Sequence, residues 1–120
     1  MRIINLSLFF ALLGTHALAA EFSLNLSLTG DVQTITANYD CGTDAPLTVT
    51  YLNADPNFLV IVPVKGEDLI FVNTIAASGA KYEAGQYIWW NKGADATLTD
   101  VTEGLDAAPV LTCHERIETP

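Results

Sequence analysis

The chain has 120 residues, half of them hydrophobic, with fourteen acidic and five basic side chains and a net charge of −9. That balance argues against nucleic acid and anionic membrane as partners and favours basic ligands, whose encounter rate a field of this sign raises. Many exported proteins are acidic simply to stay soluble, so charge permits a cationic partner without naming one.

In chain order, the first element is a leader. Arg2 is followed by an apolar stretch from Ile3 to Leu13, broken only by Asn5 and Ser7, and then by Ala17-Leu18-Ala19-Ala20 before Glu21. This reads as a cleaved secretory signal peptide over residues 1–20, its apolar stretch being shorter than the about 20 residues that a bilayer span needs. A lipoprotein would carry a cysteine just after that stretch, whereas the first here is Cys41; the expectation is a periplasmic protein with no membrane anchor. Without Arg2 four basic residues remain, Lys65, Lys81, Lys92 and Arg116.

Residues 21–120 are enough for one compact domain. Their hydrophobic pattern runs in twos. Phe22, Leu24, Leu26 and Leu28 alternate with polar residues up to Gly30-Asp31, and Val32–Tyr39 repeats the form. Further strands are expected at Leu47–Leu52, Phe58–Val64, Leu69–Ile75, Gln86–Asn91, Ala96–Val101 and Val110–His114, separated by clusters such as Asn53-Ala54-Asp55-Pro56-Asn57 and Lys65-Gly66-Glu67-Asp68. Seven or eight short strands with no helical stretch predict an all-β fold, a sandwich or a small antiparallel barrel, and closure would remove exposed edges. Glu115–Pro120 reads as a frayed tail.

Cys41 and Cys113 are the only cysteines. In an exported chain an even pair predicts a disulfide, here joining the second expected strand to the last, and closing so long a loop would stabilise the fold by about 4 kcal/mol in the chain-entropy model. The alternatives are two free thiols or a metal pair, and the latter would need more ligands than the sequence offers nearby. His114, next to Cys113, reads as a surface histidine and not as a metal ligand; no cofactor or metal is expected.

The informative region is Ala77–Gly93. Ser78-Gly79-Ala80-Lys81-Tyr82 precedes the turn Glu83-Ala84-Gly85, and Gln86-Tyr87-Ile88-Trp89-Trp90-Asn91-Lys92-Gly93 follows. Two small-residue loops thus flank an aromatic strand. Alternation puts Ile88, Trp90 and Lys92 on one face and Tyr87, Trp89 and Asn91 on the other, so one tryptophan should be buried and the other partly exposed. An exposed tryptophan beside a lysine suggests a binding surface. The plainer reading, in which the tryptophans fill the barrel and Lys92 is a solubilising charge, stays open on the residues alone.

S-G-A-K-Y, followed fourteen residues after its serine by the lysine of W-W-N-K-G, resembles the paired motif of the MliC/PliC lysozyme inhibitors of Gram-negative bacteria. Tyr39-Asp40-Cys41 is similar to the family's Y-x-C segment, and Cys113 stands where its C-terminal cysteine stands. The resemblance spans roughly residues 38–114 and implies an eight-stranded antiparallel barrel and a C-type lysozyme, a basic protein, as partner. It implies that Ser78 and Lys92 engage the lysozyme's catalytic carboxyl groups, with Gly79 and Gly93 keeping the inserted loops narrow and Tyr82 and Trp90 supporting them. Ala80 and Lys81 lie within the first motif, and Lys81 is either a further contact or an ordinary exposed charge. The role of Trp89 and the oligomeric state, a homodimer included, are left open.

Two other classes compete. A Ser-Lys hydrolase needs a desolvated lysine of depressed pKa and an oxyanion hole; a lysine followed by Gly93-Ala94-Asp95 in an acidic chain suits exposure, so an enzyme is not expected. A barrel holding an apolar small molecule is the alternative, although about eight short strands enclose an interior just wide enough for side chains.

Overall fold

Alternation of apolar and polar residues shapes the molecule. The computed structural model describes residues 23–118 and the isolated Gly14, so the leader expected over residues 1–20 otherwise lies outside the described residues. Eight strands form: β1 (Gln33–Asp40), β2 (Leu47–Ala54), β3 (Asn57–Val64), β4 (Glu67–Thr74), β5 (Ala80–Ala84), β6 (Tyr87–Lys92), β7 (Asp95–Asp100) and β8 (Leu111–Glu115). Each pairs antiparallel with its neighbour in sequence, and β8 returns to β1 to close the barrel.

One side chain in two points inward. Val49, Val60, Val62, Phe71 and Trp89 are completely buried and Leu98 nearly so, and they pack with Ala37, Tyr39, Tyr82, Ala96 and Cys113 into one core. The interior is therefore filled by side chains. A hollow of about 260 Å³ lies at the mouth bounded by Val64, Lys65, Tyr87, Asp100 and Leu111, away from the Ser78 and Lys92 loops.

The β1–β8 seam is short. Its register covers Tyr39 opposite Glu115 and Asp40 opposite His114, extended by an Arg116 N–H to Asn38 carbonyl bond of 2.8 Å. The disulfide expected between Cys41 and Cys113 forms beside it, with the two Cα atoms 4.1 Å apart. The end of the chain is thus bound as far as Arg116, where a frayed tail was expected from Glu115 onward.

The expected strand count holds, but its membership shifts. Residues 23–28 form no strand, and Leu24 and Leu26 stay more than half exposed. Their alternation predicts a strand, but the ring is complete without it, and Leu26, Leu28 and Val32 instead face Leu52, Ala54 and Leu59 on the outer wall. Ala80–Ala84, read as part of a loop and its turn, is β5. Small residues hid an ordinary alternation there, with Tyr82 inward and Lys81 and Glu83 outward.

At the mouth with the hollow, Asp100 caps a 3-10 turn over Val101–Glu103. It accepts from the Thr102 hydroxyl at 2.6 Å, the Thr102 amide at 3.0 Å and the Gln86 amide at 2.9 Å. The Thr102 hydroxyl first, then Gln86, holds the Asp100 carboxyl below its ordinary value against a smaller opposing effect of burial. A carboxylate whose folded pKa lies below its unfolded value of about 3.9 adds stability above that pH and loses it as pH falls through the folded value. Asp100→Asn is accordingly expected to lower the melting temperature at pH 7, and the gap to wild type should narrow in melts taken progressively below about pH 4.

Candidate functional site

Two connections meet at the rim opposite Asp100. The first is the β4–β5 loop carrying Ser78 and Gly79; the second is the Gly93-Ala94 turn between β6 and β7. Both are braced from below. The Asn73 side chain donates to the Lys81 carbonyl at 3.1 Å at the root of the loop, and the Glu115 amide donates to the Ala94 carbonyl at 2.8 Å behind the turn.

Trp90 joins the two on the outer face. Its indole N–H donates to the Ser78 carbonyl at 2.9 Å, while the Lys92 ammonium lies 4.3 Å from the ring centroid and that of Lys81 5.8 Å. One planar side chain thus fixes the loop through its edge and the lysine through its face, and an ammonium over an indole is worth about 0.5–1 kcal/mol at exposed sites. Lys81 is also 3.5 Å from Glu83, which partly spends its charge, whereas Lys92 forms no ion pair among the described residues. Ser78, Gly79, Lys92 and Gly93 are exposed, Ala80 and Lys81 partly buried.

Inside the barrel the same strand carries a polar network. Tyr51 accepts at its hydroxyl from the Trp89 indole N–H at 3.0 Å and from the Asn91 amide at 2.8 Å. With both lone pairs used, its own proton goes to the Tyr39 hydroxyl, 2.7 Å away, which also accepts from Asn91 at 3.1 Å. Burial, then the Tyr51 hydrogen bond, pushes the Tyr39 phenol well above its ordinary pKa, and burial also raises that of Tyr82. The network ties β6 to β1 and β2 one residue below the lysine, and only the buried Asn91 Oδ1 lacks a partner among the described residues.

The structure brings Ser78, Gly79, Trp90, Lys92 and Gly93 together at the rim. Tyr82 is apart from them, buried in the core with its ring 6.0 Å from that of Tyr51. Trp89 is the fully buried tryptophan and Trp90 the half-buried one. Two contributors were not picked out from the sequence. Asn91 faces inward with Trp89, and a polar residue on an apolar face was the available signal. Asp95 stands opposite Lys92 across the turn, and the two border a cleft of about 120 Å³ with Trp90, Ala96 and Thr97.

Gly79 is set by geometry. Its φ is +67°, in the left-handed region, and a Cβ there would collide with the Asn91 carbonyl oxygen and come within 3.1 Å of Lys92 Cγ. Gly79→Ala is expected to cost about 1–3 kcal/mol. Thermal or chemical denaturation measures this, and the Ser78 and Trp90 signals should shift together in heteronuclear NMR spectra.

Comparison with known proteins agrees with this geometry. The model of the MliC family, membrane-bound lysozyme inhibitor of C-type lysozyme, matches residues 39–106. A Pseudomonas aeruginosa membrane-bound lysozyme inhibitor of C-type lysozyme is 46% identical over 94 residues, which cover 76% of this chain and 74% of the relative. Proteins of the same description from Cupriavidus necator and Escherichia coli are 38% identical over 73 residues and 39% over 67; these matches cover 61% and 56% of this chain and 58% and 59% of the relatives. Among solved structures, the crystal structure of Pseudomonas aeruginosa MliC in complex with hen egg white lysozyme superposes with a TM-score of 0.67 at 42% identity, covering 83% of this chain and 100% of that one. Motif, barrel and relatives agree, and the chain belongs to the MliC family of lysozyme inhibitors.

Proposed function

We propose that this protein inhibits C-type lysozyme, without turnover of its own, by inserting the Ser78 loop and Lys92 into the lysozyme cleft. The observation that carries the reading is the shared anchorage of Ser78 and Lys92 on Trp90, which presents a hydroxyl-bearing loop and an unpaired ammonium side by side at one rim. Support comes from the relatives, membrane-bound lysozyme inhibitors of C-type lysozyme, and from the lysozyme-bound structure of the Pseudomonas aeruginosa protein.

Lysozyme works with two carboxyl groups at the floor of a cleft, one a general acid and the other ionised. Lys92 would set its ammonium against the ionised group, and the Ser78 hydroxyl would hydrogen-bond to a catalytic carboxyl. A narrow insertion suits such a cleft, and Gly79 and Gly93 keep both connections slim. Braces beneath the rim hold the donors in place before binding, so little ordering cost falls on association. Fourteen carboxylates against four basic residues after the leader would draw a basic partner from a distance, with Lys92 the local exception that matches an acidic cleft. The leader over residues 1–20 supports export, and we place the action in the periplasm, where lysozyme would meet the cell wall.

Cell-wall lysis assays and direct binding test this. Lys92→Ala should weaken Kd by about thirtyfold or more, as expected when one partner of a buried interfacial charge pair is truncated. Ser78→Ala should cost about tenfold, as for a hydrogen bond to a charged group. Trp90→Phe, which deletes the bond to the Ser78 carbonyl and keeps an aromatic face, should weaken binding less than Lys92→Ala. Raising salt should slow association of the wild type. Wild-type inhibition by Lys92→Ala would overturn the insertion mechanism.

A further inference from the structure

Lys92 owes its availability to its neighbours. It ends β6, and directly opposite it, across the Gly93-Ala94 turn, is Asp95 at the start of β7. Directly opposed side chains share a face with Cβ atoms about 4.5–5.5 Å apart, and opposite charges so placed ordinarily pair. Here they do not. Asp95 turns the other way, to His114 on β8, whose ring Nδ1 lies 2.8 Å from Asp95 Oδ1.

The register places Lys92, Asp95, His114 and Asp40 in one row across β6, β7, β8 and β1. The two ends of the row have partners outside it, and the middle two pair with each other. Lys92 lies on the Trp90 ring, Asp95 takes His114, and Asp40 accepts the Gly42 amide at 3.1 Å. Lys92 and Asp95 both border the cleft of about 120 Å³ lined also by Trp90, Ala96 and Thr97, and they form no ion pair with each other. His114 can donate from Nδ1 in its neutral form as well as when protonated, so the arrangement does not need a charged imidazole.

We propose that His114 is a positioning residue for Lys92: the His114–Asp95 hydrogen bond withholds the Asp95 carboxylate from Lys92 and leaves the lysine charge free for an acidic partner site. This rests on the reading of Lys92 as the inserted group. Without His114, Asp95 would swing across the turn, draw Lys92 off Trp90 and neutralise it in place. A partner would then have to break an intramolecular ion pair before using the lysine.

Both residues are mostly exposed, with side-chain accessibilities of 68% and 72%, so the effect is that of a surface pair. His114→Ala is expected to weaken lysozyme binding about two- to fivefold at constant pH and moderate salt. Adding Asp95→Asn should restore binding to the level of Asp95→Asn alone, because no carboxylate remains to capture the lysine. A merely structural loss at His114 would not be rescued in that way. The free protein gives a second reading that needs no partner: the Lys92 methylene protons, shifted upfield by the Trp90 ring current, should move downfield in His114→Ala and return in the double variant.

Unchanged Lys92 shifts in His114→Ala would overturn the proposal, as would equal weakening by His114→Ala in the wild-type and Asp95→Asn backgrounds. If the shifts move and reverse as expected while Lys92→Ala still binds lysozyme like the wild type, the positioning of Lys92 stands and the insertion reading is what fails.

Discussion

The barrel has an inside only because β1 and β8 meet, and their seam is its most economical joint. Two register positions, one further backbone bond and the Cys41–Cys113 bridge close the ring. Cross-linking residues 72 apart in sequence removes freedom mainly from the unfolded chain. What it secures extends well beyond the seam. Tyr39 belongs to β1 at this joint and also to the hydroxyl network under the rim; His114 belongs to β8 at this joint and also holds Asp95. The seam is thus connected on the inner face of the wall to β6, which presents Lys92, and on the outer face to β7 beside it.

β6 divides its labour by parity. Trp89 and Asn91 point inward, one giving the core its largest buried ring and the other tying the strand to two tyrosines. Trp90 and Lys92 point outward and form the working surface. A cross-braced interior beneath a charged tip is a sound basis for a rigid binder, because the groups that meet the partner are fixed before it arrives. The filled interior also weighs against a cargo-holding barrel, since Trp89, Phe71 and Leu98 occupy the space such a ligand would need.

Much of this was legible in the residues. Period-two runs specified strands, two cysteines in an exported chain specified the bridge, and adjacent tryptophans had to part to opposite faces. The failures have physical causes. Leu24, Leu26 and Leu28 alternate as a strand does, yet alternation says only that one side is apolar and not that a partner strand is free; the ring had already closed at eight. Ala80–Ala84 was obscured because alanine signals neither burial nor exposure. At the rim the paired motif located Ser78 and Lys92, but which side chain holds which is decided by cross-strand register. The bond from Trp90 to Ser78 and the pairing of Asp95 with His114 join residues 12 and 19 apart, and no local pattern reveals such distances.

The parity of β6 also sets how this surface can change over time. Outward positions can be substituted without disturbing the core, although replacing Trp90 also removes its bond to the Ser78 carbonyl and its contact with Lys92. An added or deleted residue between Ala84 and Lys92 cannot be absorbed so easily. It would shift the phase of the strand, send Trp90 and Lys92 toward the core and turn Trp89 and Asn91 out to water. Diversification of the rim should therefore proceed by replacement within a fixed strand length, with length variation left to the loop before Ser78 and to the segment between β7 and β8.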